Sequence, residues 1–227
     1  MDYCISDIHG EYELLCRLLE KIEFSPSDRL FVLGDMIEKG NYSVKVLQLL
    51  SSLPNAFCIQ GNHEYDFIKY YHSLMRSTED YEDVLQKLKA RFPFDGALLE
   101  WDTVDWLESL SYYIQTDKFI GVHSGIPLTD GKPVDLEKVT AEEFVYDRVF
   151  KEPYVLPKTD KCIVFGHTPA RFITGKDNFI FYPKTPELQK SGDIENFCKI
   201  HIDTGVYLSG VLSVLRIDDC EEIFLQS

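Results

Sequence analysis

Within its first 75 residues the chain repeats one pattern: a short apolar run, a turn-prone loop, then a segment of helical period. Asp2 to Ser6 leads into Asp7-Ile8-His9-Gly10, after which Leu14, Leu15, Leu18, Leu19 and Ile22 recur on one helical face. Leu30 to Leu33 leads into Gly34 to Gly40, and Val44, Leu47 and Leu50 then mark a second helix. Ala56 to Gln60 leads into Gly61-Asn62-His63-Glu64 and a third helix from about Tyr65 to Met75. Strands alternating with helices predict a parallel sheet, and the loops at the strand C-terminal ends are where such a sheet carries chemistry. The three loops should lie side by side.

Beyond this the texture changes. From Ser77 to about Leu110 the sequence is charged and helix-favouring, which predicts a helical cap inserted into a single domain spanning 1–227. Trp101, Trp106, Tyr112 and Tyr113 form an apolar set expected to pack within it, and the acidic stretch Glu79 to Asp83 reads as a solvated helix start. Short β-type runs then follow, separated by Gly, Pro and Asp: Tyr112 to Gln115, Phe119 to His123, Lys161 to Phe165, Phe179 to Tyr182, Lys199 to Ile202, Gly210 to Ile217 and Glu222 to Leu225. They predict a second sheet, antiparallel or mixed, with Pro183 to Asn196 as an exposed polar loop.

Charge removes several function classes. With 38 acidic against 23 basic residues the net charge is −15, which argues against nonspecific nucleic-acid binding through phosphate neutralisation and against docking on an anionic membrane. No apolar stretch approaches the roughly 20 residues of a membrane-spanning helix, and Met1-Asp2-Tyr3-Cys4 is no secretory leader, so a cytoplasmic location is expected. The six cysteines are irregularly spaced without a CxxC pair, and Cys4, Cys16, Cys58, Cys162 and Cys198 fall in apolar runs, as reduced core residues do.

The loops are where the chemistry concentrates. Asp7 and His9, then Asp35, then Asn62 and His63 each follow a strand, and two later strand ends add His123 in Gly121-Val122-His123-Ser124-Gly125 and His167 in Phe165-Gly166-His167-Thr168-Pro169. Oxygen donors mixed with imidazole suit divalent first-row metals, and carboxylates that can bridge favour two ions. An Asp-x-His after a strand is by itself most often a turn. It is the joint placement, order and number of these groups that argue for a metal site. His72 reads as a partly exposed helical residue, and His201, two before Asp203 on a strand, as a packing residue or one that supports a ligand.

These blocks, Asp7-Ile8-His9-Gly10, Gly34-Asp35-Met36-Ile37-Glu38-Lys39-Gly40, Gly61-Asn62-His63-Glu64, His123-Ser124-Gly125, Gly166-His167-Thr168 and Ile202-Asp203-Thr204-Gly205, resemble in sequence and order the calcineurin-like metallophosphoesterases, specifically the bacterial branch of the phosphoprotein phosphatases. The resemblance spans nearly the whole chain. It implies an α/β fold, a four-layer α/β/β/α sandwich, with two divalent metals where the loops meet: manganese first, with iron, zinc or nickel as options. Asp7 and His9 would hold the first metal, Asp35 would bridge, and Asn62, His123 and His167 would hold the second. His63 would protonate the leaving group, positioned by Glu38, and Asp203 and Glu64 would orient loops through hydrogen bonds. Lys39 and Arg148 would grip phosphate oxygens. Two of these residues depart from the family's habit: Glu38 stands for an aspartate, and Lys39 for an arginine, keeping the charge but losing the planar fork.

The function so implied is a metal-dependent phosphomonoesterase acting on phosphoserine or phosphothreonine in proteins, and on small aryl phosphates, by in-line attack of a hydroxide bridging the metals. The substrate would be a phosphoprotein or small phosphate ester, with no nucleic-acid or membrane partner. Two alternatives stand beside it: a dinucleoside tetraphosphate hydrolase, since the same blocks occur in both, and a non-catalytic protein that binds a phosphorylated ligand, a reading that Glu38 and Lys39 keep open. Substrate choice is expected from 77–110 and from Pro127 to Lys161, neither of which carries a readable code.

Overall fold

The computed structural model describes residues 1–77, 80–91 and 101–227. The repeated N-terminal pattern forms as read: β1 (Asp2–Ile5), α1 (Tyr12–Lys21), β2 (Arg29–Val32), α2 (Ser43–Ser52), β3 (Ala56–Cys58) and α3 (Asn62–Met75). The three strands pair in parallel, β1 with β2 and β2 with β3. The third helix begins three residues earlier than its apolar spacing predicts. Glu64, at its third position, turns its carboxylate back to the Gly61 N–H at 2.8 Å and caps the first turn. Asn62 and His63 are therefore helical residues, not loop residues.

Helices α4 (Tyr81–Arg91) and α5 (Trp101–Ser109) follow, and then β4 (Tyr113–Gln115), β5 (Phe119–Val122), the short hairpin of β6 (Leu128–Thr129) and β7 (Lys132–Pro133), and α6 (Ala141–Tyr146). The chain ends with β8 (Cys162–Phe165), α7 (Arg171–Thr174), β9 (Ile180–Pro183), β10 (Phe197–His201), α8 (Val206–Ser209), β11 (Val211–Arg216) and β12 (Glu221–Gln226). One five-stranded sheet runs β12-β11-β1-β2-β3 and the other β4-β5-β8-β10-β9. The second sheet is mixed, with β5, β8 and β10 parallel and both edges antiparallel. The last two strands do not join it, against expectation: β11 pairs antiparallel with β1, so the chain's end completes the sheet its beginning started.

Alternation within the strands explains the layers. Tyr3 and Ile5 pack toward the helices with Leu14, Leu15 and Leu18, whereas Cys4 faces the other sheet; Leu30 and Val32 likewise oppose Phe31 and Leu33. In the second sheet Cys162 and Val164 face inward, while Ile163 and Phe165 meet Phe144 and Val145 of α6. Strands buried on both faces, each with side chains of period two, make a four-layer sandwich with three apolar seams.

Of the segment expected as a cap, α5 buries Val104 and Leu107 against the core beneath α2 and α3, and residues 78, 79 and 92–100 lie outside the described residues. Part of the acidic stretch Glu79 to Asp83 is thereby outside them too, as is the side chain of Trp101. The expected aromatic set divides: Trp106 packs toward the first sheet, whereas Tyr112 and Tyr113 stack on Phe144 at 6.4 and 5.6 Å beyond the second. Pro183 to Asn196 is largely surface, but its 3-10 turn at Ile194–Asn196 buries Ile194. All six cysteines are free, Cys4 and Cys162 buried and the others partly so. Among the described residues no helix is long and apolar enough to cross a membrane.

Candidate metal centre

The loops after β1, β2 and the strands of the second sheet converge at one end of the sandwich. The first two are stitched backbone to backbone: Asp7 N donates to Gly34 O at 3.1 Å, His9 N to Asp35 O at 2.9 Å, and Gly10 N to Met36 O at 2.9 Å. Glu64, fully buried at the start of α3, accepts from the N–H groups of Asp35 and Met36 at 2.9 and 2.7 Å, and from Ile37 at 3.2 Å. One carboxylate thus ties the second loop to the third, as expected of it.

This stitching forces unusual backbone. Among the described residues, nine besides glycine have positive φ, and six of them are Asp7, His9, Asp35, Glu38, Lys39 and His167. Side chains disfavour that region, so its concentration at one place marks a site whose geometry overrides local preference. Two glycines make room: a Cβ at Gly61 would sit 2.2 Å from Asp35 Oδ1, and one at Gly166 2.3 Å from Asp7 Oδ2.

Two groups of donor atoms result. His9, Asp35 and His63 form one, and Asp35, His123 and His167 the other, with ligand atoms within 4.8 Å of one another in each. Asp35 belongs to both. Asp7 Oδ1 lies 3.9 Å from His9 Nε2. Asn62 Oδ1 lies 3.0 Å from His123 Nε2 and 2.8 Å from His167 Nδ1, beside the second group.

The donor chemistry fits divalent metal. A carbonyl can only accept, so His123 Nδ1, 2.9 Å from Leu33 O, and His9 Nδ1, 3.1 Å from Ile37 O, carry the ring protons. Each Nε2 then presents a lone pair: for His123, toward the acceptors Asn62 Oδ1 and Asp35 Oδ1 at 3.4 Å; for His9, toward Asp35 Oδ2 at 3.8 Å, with the Lys39 ammonium as a nearer donor. Burial holds His9 near pKa 3 and His167 near 2, with the positive charge of Lys39 acting in the same direction on His9 and that of Arg148 on His167. Burial, with the Asp7 and Glu64 charges, pushes Asp35 well above the carboxylate range. Neutral imidazoles crowding buried carboxylates are what bound cations resolve.

His63 is set apart by its second bond. Its Nδ1 is hydrogen-bonded to Glu38, and its Nε2 stands 3.7 Å from Asp35 Oδ2. Burial alone would lower its pKa, but the Glu38 hydrogen bond and the Asp35 charge outweigh it and raise the value. Lys39 lies 3.0 Å from His9 Nε2, and Arg148, exposed at the rim, places Nη1 3.3 Å from Thr168 Oγ1 beside His167.

Other residues resolve plainly. His72 is a half-exposed helical residue paired with Glu108 at 2.6 Å. His201 is buried, its ring edge-on to Phe165 at 4.9 Å, and Asp203 Oδ1 accepts from Gly205 N at 2.7 Å. Sequence reasoning passed over Tyr207, whose ring meets His9 edge-on at 5.4 Å. Its one signal was position, four residues past Asp203 in a recognised block.

A family model described as calcineurin-like phosphoesterase matches residues 3–201. A symmetrical bis(5'-nucleosyl)-tetraphosphatase of Stutzerimonas stutzeri is 29% identical over 175 residues, 75% of this chain and 58% of that protein. One from Coxiella burnetii is 34% identical over 130 residues, 55% of this chain and 42% of that protein. The chain spans about half the length of the curated relatives it matches. Among solved structures, one assigned provisionally as a diadenosine tetraphosphatase superposes with a TM-score of 0.71 at 19% identity, covering 99% of this chain and 92% of that one.

Proposed function

The chain belongs to the calcineurin-like phosphoesterases, and from that premise we propose that it is a metal-dependent hydrolase of phosphate linkages, with dinucleoside tetraphosphates ahead of phosphoproteins as its substrates. The observation that carries the chemistry is Asp35, shared by two groups of ligand atoms. In this reading Asp7 and His9 hold one divalent ion, Asn62, His123 and His167 hold the other, and Asp35 joins them. Two such ions, when bound, neutralise phosphoryl oxygens and acidify water toward neutral pH.

The protein's own groups do the rest. Lys39 and Arg148 add positive charge at opposite sides of the centre and orient the phosphoryl group. His63 holds a proton at Nε2 for the leaving oxygen, and Glu38, accepting from Nδ1–H, favours that protonated form. Buried walls formed by Asp7, His9 and His123 keep bulk water from the ligand atoms.

The order of substrates rests on the relatives. The metal-binding blocks scarcely separate the two classes, and from sequence alone phosphoserine and phosphothreonine come first because so acidic a chain gives no hint of a polyanionic substrate. The similarity to tetraphosphatases over three-quarters of the chain supports the alternative. The deciding measurement is kcat/KM, with manganese supplied, on diadenosine tetraphosphate, a phosphoserine peptide and a phosphodiester. Preference for the peptide would reverse the order. A wild-type rate on p-nitrophenyl phosphate no higher than those of His63→Asn and Asp35→Asn would favour a non-catalytic binder.

A further inference from the structure

Lys39 and Tyr207 come from different sheets' loops, one after β2 and the other in α8 beyond β10, and meet beside His9. The Lys39 ammonium lies 4.1 Å from the centre of the Tyr207 ring. It also lies 3.0 Å from His9 Nε2, and the two rings meet edge-on. Tyr207 is 39% exposed, so part of the residue meets solvent.

Both backbones are held firmly. Glu38 and Lys39 are left-handed at φ 66 and 64, pinned by Gly40 N to His9 O at 2.8 Å and by Glu38 N to Ser43 Oγ at 3.0 Å. The single turn of α8 is bounded by left-handed Gly205 and Gly210. What remains free is the lysine's four-carbon stem, which lacks the preorganised planar fork of an arginine. A cation on His9 would occupy the Nε2 lone pair and repel the ammonium. Of the two contacts, the Tyr207 face is then the one that persists.

We propose that Tyr207 is a positioning residue for Lys39: its ring face holds the ammonium at the His9 side of the centre, where the N–H groups reach a non-bridging phosphoryl oxygen. The aromatic ring thereby supplies the orientation lost where lysine stands for arginine. The inference rests on the phosphoesterase reading above. It assigns Tyr207 no contact with the reacting atoms.

The test is a double-mutant cycle of Tyr207→Leu with Lys39→Met, plus Tyr207→Phe, read two ways. Calorimetry of inorganic phosphate binding to manganese-loaded protein gives affinity without turnover, and steady-state kinetics on p-nitrophenyl phosphate and diadenosine tetraphosphate separate KM from kcat. Tyr207→Leu should weaken phosphate binding and raise KM roughly fivefold on both substrates, leaving kcat close to wild type. Tyr207→Phe should keep wild-type values, since the ring face is retained, and Tyr207→Leu should add nothing once Lys39→Met is present. Additive losses would overturn the proposal, as would a Phe variant as impaired as the Leu variant or a Leu variant without effect. Losses confined to the nucleotide substrate and independent of Lys39 would make Tyr207 a base-stacking surface instead. A wild-type protein that neither binds phosphate nor turns over would remove the underlying reading, a failure visible before any variant is made.

Discussion

Glu38 and His63 are joined through Nδ1 of the imidazole, and the opposite nitrogen of that ring faces Asp35 at 3.7 Å. The ring therefore has one nitrogen committed to a carboxylate and the other free to act at the centre. In the proposed function this arrangement serves a general acid, its protonated form favoured by the neighbouring carboxylate.

Replacing His63 by asparagine should lower kcat by about 10²- to 10⁴-fold on a phosphoserine peptide and by less on p-nitrophenyl phosphate, whose leaving group needs less protonation. Glu38→Gln should have a smaller effect in the same direction. Because Glu38 raises the His63 pKa, its loss lowers that value, and the alkaline limb of the kcat profile should move to lower pH. A limb that stays in place would show that another group supplies the proton.

Metal content should report the shared role of Asp35. Asp35→Asn should reduce bound manganese in both halves of the centre, whereas His167→Ala should spare the half that contains His9. Plasma mass spectrometry of protein equilibrated with limiting manganese distinguishes the two. Equal losses in both variants would mean that the halves do not bind independently.

Glu64→Gln should destabilise the fold on the order of 3 kcal/mol, because the carboxylate accepts from Asp35, Met36, Ile37 and Gly61 and an amide nitrogen would face those donors instead. Urea midpoints give the change. Manganese affinity should fall with it, since these N–H groups hold the backbone of Asp35.

Lys199 is buried, donating to the carbonyls of Phe150 and Glu152 among the rings of Phe150, Phe165 and Tyr182. Burial lowers its pKa from 10.5 to about 7. Between those values the folded chain binds fewer protons than the unfolded one, so this group's contribution to stability rises with pH across that window and is flat below it. Urea unfolding from pH 6 to 10 should show a steeper rise for wild type than for Lys199→Met. Parallel curves would place the folded pKa at its ordinary value.

Much of the site could be read before the fold was known, because its ligands sit at ends of elements whose apolar periods are local. Asp7, Asp35 and Asn62 each follow a run of alternating or continuous apolar residues, and the periodicity that places a strand also places the residue after it. The start of α3 was misread by three residues because its first turn is fixed by the Glu64 cap, which apolar spacing does not register.

What local pattern could decide, then, was the existence of strands and helices, the residues at their junctions, and hence the kind of atoms available to a metal. Pairing was decided only by the folded chain: β11 and β12 have the same alternating texture as the strands of the second sheet, yet lie beside β1, since period two says which side chains share a face and nothing about which strand is the neighbour. The left-handed backbone at Asp7, His9 and Asp35 was likewise invisible, because bonds between loops distant in sequence impose it against local preference. So was the meeting of Lys39 with Tyr207, 168 residues apart in the numbering, which exists only because two sheets bring their loops to one end.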